Sequence, residues 1–275
     1  MSNPIAFSTL ACPELSAESV IALAARFGYN ALEWRGGLQG HVQPALTALE
    51  RSALRRRVAG AGLASLAVTG YTSFVSDDPA ARQANVDELR RYLDLAADIG
   101  ASYVRAFLGE LPPGADLPTV HINAAACLEA AAPHAAAVGV GIAVEPHDDF
   151  VRVASAAPIL DRAQHPSIGA VWDIGNAFSE GEEPETGFAI LNGRIAYVQV
   201  KDGAGRHENW RLTRVGEGEV PLARAVALLK SAGYQGALSL EWERAWHPEL
   251  DPVEIALPHA MQAIKNLLAD TEGAA

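Results

Sequence analysis

Ser8-Thr9-Leu10-Ala11-Cys12-Pro13 follows the first apolar run of the chain, Ile5–Ser8, and contains no glycine. A doubly wound dinucleotide-binding sheet carries a glycine-rich phosphate loop at this turn, because the backbone must approach a pyrophosphate closely and open a helix there. The turn therefore argues against that fold. Seven more short apolar runs follow, at residues 31–34, 63–68, 103–107, 141–145, 168–173, 195–201 and 237–241, with the spacing of βα units. Helical patterns fill the intervals, such as 16–27, with Ser16 as N-cap, and 80–99; Gly28, Gly62, Gly100 and Gly233 punctuate the returns to strand. Pro133 interrupts the alanine-rich stretch 123–138 and predicts a kinked or split helix. Eight alternating units without a linker predict an α/β chain forming one (β/α)8 barrel domain over residues 1–275.

Composition narrows the function. A chain of 275 residues, 49% hydrophobic, can bury a core without disulfides or structural metal. Its two cysteines, Cys12 and Cys127, belong to no CxxC pair, which argues against a disulfide framework or a cysteine zinc site. The formal charge of −12 repels phosphate backbones and anionic membranes, so neither nucleic acid nor membrane is the expected partner. The first sixteen residues lack a basic start and long apolar core, and no apolar run approaches membrane-span length. The expectation is a cytoplasmic globular protein.

In a (β/α)8 barrel, chemistry gathers where strands end. Glu145, Asp173, Gln199 and Glu241 stand at or near the ends of the fifth to eighth runs, separated by 28, 26 and 42 residues (173−145, 199−173, 241−199), and all four can converge on one mouth. Unpaired carboxylates at apolar strand ends would neutralise, and a divalent cation removes that cost. Three carboxylates and an amide oxygen form a hard, all-oxygen site, favouring Mn²⁺ or Mg²⁺, with Zn²⁺ or Co²⁺ next. Taken singly, each acid reads as well as a solvated loop carboxylate or a helix N-cap; four together favour one metal ion.

At these residues the sequence resembles the xylose-isomerase-like TIM barrel superfamily of sugar isomerases and epimerases, over nearly the whole chain. The match lies in Glu145-Pro146-His147, Asp173, Glu241, the Lys201-Asp202 pair and the stretch Gly216-Glu217-Gly218-Glu219-Val220-Pro221. Gln199 replaces the histidine ligand of many epimerases, as in hydroxypyruvate isomerases and metal-dependent 3-dehydroshikimate dehydratases, and Asn176 stands where some members carry a histidine. The resemblance implies a divalent-metal-dependent sugar, keto-sugar or hydroxy-keto acid isomerase or epimerase. In it Glu145 and Glu241 are both ligands and the acid/base pair, working through a metal-stabilised enediolate, with Asp173 and Gln199 as spectator ligands. The implied partner is a small polyhydroxy substrate, and family barrels often pair into homo-oligomers.

Around this set, His147, Asn176, Lys201, Arg206, Glu33 and Arg105 are candidate substrate contacts. Each has a plainer reading: His147 as a loop histidine, Lys201 paired with Asp202, Arg206 as a solvated loop residue, Glu33 and Arg105 as a salt bridge between barrel strands. Trp34, Trp172 and Trp242 would wall a sugar site or simply pack, and residues 36–42 and 179–185 would shape the mouth. The rival functions are a dehydratase of the dehydroshikimate type, an apurinic-endonuclease-like nuclease, and a metal-binding barrel without turnover.

Overall fold

The computed structural model describes residues 3–270. Strands β1 (Ile5–Ser8), β2 (Ala31–Arg35), β3 (Ala64–Thr69), β4 (Ala101–Phe107), β5 (Gly141–Glu145), β6 (Ile168–Asp173), β7 (Ile195–Val200) and β10 (Leu238–Leu240) close into an all-parallel barrel in the order β1-β10-β7-β6-β5-β4-β3-β2. The eight runs expected from sequence are these strands, with ends displaced by a residue or two. Helices return the chain between them: α1 (Ala17–Phe27), α2 (Ala48–Gly60), α3 (Pro79–Ile99), α4 (Leu117–Val138), α5 (Val153–Leu160), α6 (Ile174–Ser179), α7 (Pro184–Leu191), α8 (Leu222–Ser231) and α9 (Val253–Asp270).

The local signals act as their chemistry requires. Ser16 Oγ accepts the Ser19 N–H at 3.3 Å to cap α1, which ends on Gly28 at φ 77°, a left-handed position that costs glycine nothing. Pro133 does not split its helix: α4 runs through it as one element. Its buried face, from Val120 and Ala124 to Ala132 and Ala135, lies on both sides of the proline, so packing holds both halves in place despite the lost hydrogen bond. The antiparallel hairpin of β8 (Asp202–Ala204) and β9 (Arg211–Thr213), just after β7, was not expected. Among the described residues no helix is long and apolar enough to cross a membrane.

Strand alternation positions the site. Every second side chain of a barrel strand faces the axis. The lower interior is filled by small residues, among them Ala6, Ala31, Ala67, Ala143 and Ala237, around Val171 and Tyr197. The next axial positions up are polar: Glu33, Arg105, Glu145, Asp173, Gln199, Ser239 and Glu241, all buried. Trp34, Trp172 and Trp242 alternate outward into the core between strands and helices, so they pack and do not wall the site.

Candidate metal centre and active site

Glu145, Asp173 and Glu241 each place a carboxylate oxygen within 4.8 Å of the others, and all three are buried. Asp173 divides its oxygens: Oδ1 accepts the Asn176 N–H at 2.9 Å, capping α6, while Oδ2 has an ion-pair contact at 3.0 Å from Lys201 Nζ but no hydrogen bond of good geometry. The N-cap and ligand readings of this residue are compatible, each using one oxygen.

Gln199 completes the group. Its Nε2 donates to Glu33 Oε1 and to Glu241 Oε1, both at 3.0 Å, whereas its buried Oε1 has no donor. Two carboxylates facing one end of the amide make that end the NH₂, since a carbonyl there would meet like charge. Glu33 holds this orientation from below, accepting also from Tyr197 Oη at 2.8 Å and Ser239 Oγ at 2.7 Å. Burial and the nearby Glu241 push the Glu33 carboxyl up to about 7. Sequence reasoning places Glu33 against substrate; the structure puts it beneath Gln199 and off the cavity lining. Tyr197 and Ser239 were missed, although each stands two residues before a flagged position and so shares its alternation.

The charges do not balance. Glu33, Glu145, Asp173, Glu241 and the less buried Glu243 face Arg105 and Lys201. Burial pushes Glu145 up to about 8, against the pull of Arg105, and raises Asp173 well above its ordinary value, against the pull of Lys201. Burial also acts upward on Glu241, but Lys201 and Arg105 hold it below its ordinary value. An excess of buried carboxylates, an amide oxygen without a donor and a carboxylate oxygen with no good hydrogen bond together fit a hard divalent cation.

A cavity of about 350 Å³ opens above these residues, at the lower end of the range for small-molecule sites. Glu145, Glu241, Lys201 and Arg105 line it, with His147, Tyr71, Phe107, Glu243 and Trp246 on its walls. Arg105 Nη1 donates to Glu145 Oε2 at 2.8 Å, a bridge between adjacent strands, and its guanidinium lies 3.8 Å from the Phe107 ring centroid. His147 stacks on the same Phe107 ring, centroids 4.2 Å apart, and its Nδ1 meets Asp148 Oδ1 at 2.8 Å. Asn176 lies between Lys201, whose Nζ donates to its Oδ1 at 3.0 Å, and Glu145. Tyr71, Phe107, Glu243 and Trp246 were missed; Phe107 and Glu243, each two residues beyond a flagged one, carried a readable signal.

Arg206 is not brought to the site: it donates to the Phe178 carbonyl, pairs with Glu183 at 3.4 Å and lies over the Phe178 ring. Residues 36–42 and 179–185 are likewise absent from the cavity walls, which come from β4 and β5 and from the segments after β1, β3, β5, β7 and β10. Lys201 does not pair with Asp202, whose side chain points to the opposite face. Asp202 Oδ1 accepts the N–H groups of Gly203 (2.8 Å) and Val220 (3.2 Å), and Oδ2 those of Gly216 (2.8 Å) and Gly218 (3.1 Å). The Gly-Glu-Gly-Glu-Val-Pro stretch thus wraps a buried carboxylate, and a Cβ at Gly218 would lie 2.2 Å from Asp202 Oδ1. Asp202→Ala strips four backbone donors, two of them buried, of their acceptor and is expected to cost about 3 kcal/mol, read as a lower urea midpoint; an unchanged midpoint would contradict this role.

With this geometry established, comparison with known proteins places the chain. A profile of the xylose isomerase-like TIM barrel family matches residues 21–267. The chain belongs to that family. No curated protein matches it by sequence. Among solved structures, an L-ribulose 3-epimerase aligns with TM-score 0.82 and 20% identity, over 100% of this chain and 97% of the other. An IolI protein with a bound zinc atom aligns at 0.79 and 18%, over 98% of each chain. A D-psicose 3-epimerase from Clostridium cellulolyticum H10, solved with D-tagatose, aligns at 0.79 and 14%, over 95% of this chain and 97% of that one. At these identities the likeness is one of fold.

Proposed function

We propose that this protein is a divalent-metal-dependent isomerase or epimerase of a small polyhydroxy carbonyl compound. The observation that carries the reading is the convergence of Glu145, Asp173 and Glu241 beside a Gln199 oxygen without a donor, at the floor of a small cavity. Those four residues would hold the ion, Mn²⁺ or Mg²⁺ by ligand hardness, with Zn²⁺ or Co²⁺ next. Bound there, the ion supplies Lewis acidity, easing loss of the proton next to the substrate carbonyl. Glu145 and Glu241 both line the cavity and serve as the proton-transfer pair. Asp173 and Gln199 set geometry. Arg105 fixes Oε2 of Glu145 and Asn176 Nδ2 approaches its Oε1 at 3.5 Å, while Phe107, stacked on His147, helps wall the cavity.

The similarity to sugar 3-epimerase structures supports this choice among the chemistries such a site could run. A nuclease of the apurinic type would need several histidines at the metal centre, and no histidine belongs to this cluster. The test is proton exchange in D₂O, followed by NMR with Mn²⁺-loaded protein and a panel of ketoses, aldoses and hydroxy-keto acids. Deuterium should enter at the carbon next to the carbonyl, with a new epimer or isomer accumulating. Elimination of water without exchange products would favour the dehydratase instead, and no reaction across the panel would refute the proposal.

A further inference from the structure

The oxygens that would hold the ion are already engaged. Lys201 Nζ lies 3.0 Å from Asp173 Oδ2 and 2.5 Å from Glu241 Oε2, so one ammonium serves two of the three clustered carboxylates. Its remaining partners, Asn176 Oδ1 at 3.0 Å and Glu243, stand outside the cluster, and Glu243 lines the cavity. An ammonium and a divalent ion cannot share the same lone pairs, and they repel each other strongly in a buried site. We propose that Lys201 is a tethered counter-ion that competes with the divalent cation for Asp173 and Glu241. When the cation binds, Lys201 is handed to Asn176 and Glu243, at the cavity wall where substrate enters. The inference rests on the metal-binding reading above and adds an internal competitor that sets how tightly the ion is held.

Two independent features support it. Gly175 lies inside α6, where no left-handed backbone calls for glycine, yet a Cβ there would fall 2.2 Å from Lys201 Cγ and 2.9 Å from Cδ. The missing side chain is the notch through which the lysine stem reaches the carboxylates. The residue choice also departs from the chain's habit: of 21 cationic residues, three are lysines (201, 230 and 265) and the other 18 (21−3) are arginines. A planar guanidinium locks onto one partner set, whereas an ammonium on a flexible stem exchanges partners by rotation.

The experiment is calorimetric titration of Mn²⁺ into chelator-stripped wild-type protein, Lys201→Met, Gly175→Ala and the double variant. Removing the competitor, or blocking its notch, should tighten Mn²⁺ binding at least about tenfold. The double variant should match Lys201→Met, because both changes act through one side chain. Unchanged or weaker Mn²⁺ binding in the folded single variants overturns the counter-ion role while leaving the metal site standing. If Lys201→Met does not fold, Gly175→Ala decides alone. Mn²⁺ binding by the variants but not by wild type would keep Lys201 as the counter-ion of this site and overturn the proposed function, which needs the ion in the wild-type protein. Binding by none of the four proteins overturns the metal reading and the counter-ion with it.

Discussion

Glu145→Gln and Glu241→Gln are each expected to lower kcat by about 10³-fold or more, equivalent to about 4 kcal/mol of barrier, without unfolding the barrel. Glutamine preserves shape and one carbonyl oxygen at each position, so the packing of the surrounding strand ends survives. In the proposed mechanism what is lost is the ability to take and return a proton, and one unit of charge facing the ion. Both carboxylates are buried, so no solvent-exposed group can easily substitute for either. In Glu145→Gln, Arg105 can still donate to the retained oxygen, which keeps that guanidinium partnered. Turnover is measured on the substrate that exchanges deuterium, and folding by circular dichroism. Wild-type-like turnover in either folded variant would refute the two-carboxylate assignment.

The barrel was legible because its determinants are local. Apolar runs, the Ser16 cap and the glycine stops each sit within a few residues of what they control, and the absence of glycine after β1 removed the rival sheet. The convergence of Glu145, Asp173 and Glu241 beside Gln199 was legible for a related reason: topology brings successive strand ends together, so a sequence position near a strand end becomes a spatial one. What escaped depends on direction. Lys201 and Asp202 are neighbours in sequence but face opposite sides of the chain, one toward the carboxylates through the Gly175 notch and the other into the backbone loop 216–220. Strict alternation would have placed Glu33 inside the barrel beneath Gln199 and pointed to Tyr197 and Ser239 as its partners. Arg206 lies in the β8–β9 hairpin, residues 36–42 in the loop after β2, and residues 179–185 in the turn from α6 into α7; their courses are set by packing distant in sequence, such as the Phe178 ring under Arg206. Trp246, from the loop after β10, reaches the cavity for the same kind of reason and has no nearby sequence signal.

Saturating divalent metal is expected to raise the thermal midpoint of chelator-stripped protein by roughly 10 °C, with the size following from linkage. A ligand present at a thousand times its dissociation constant stabilises the folded state by about 4 kcal/mol, and for a domain of this size each kcal/mol shifts the midpoint by roughly 2–4 °C. The stabilisation is specific to the folded chain, because Glu145, Asp173, Gln199 and Glu241 come from four strands and converge only once the barrel closes. A cation there would also favour the charged forms of Glu145 and Asp173, which burial pushes toward neutral. Asp173→Asn separates this from general ion effects. Its amide can still accept from the Asn176 N–H through its oxygen, preserving the helix cap, but it presents no second carboxylate oxygen to the ion. The variant should therefore fold and lose most of the metal-induced shift. Calorimetry with Mn²⁺, Mg²⁺, Co²⁺ and Zn²⁺ in turn ranks the ions, and a hard-ligand site orders them by fit to oxygen. If none of the four moves the wild-type midpoint, the carboxylates at the strand ends are a buried ion-pair network served by Lys201 and Arg105 alone.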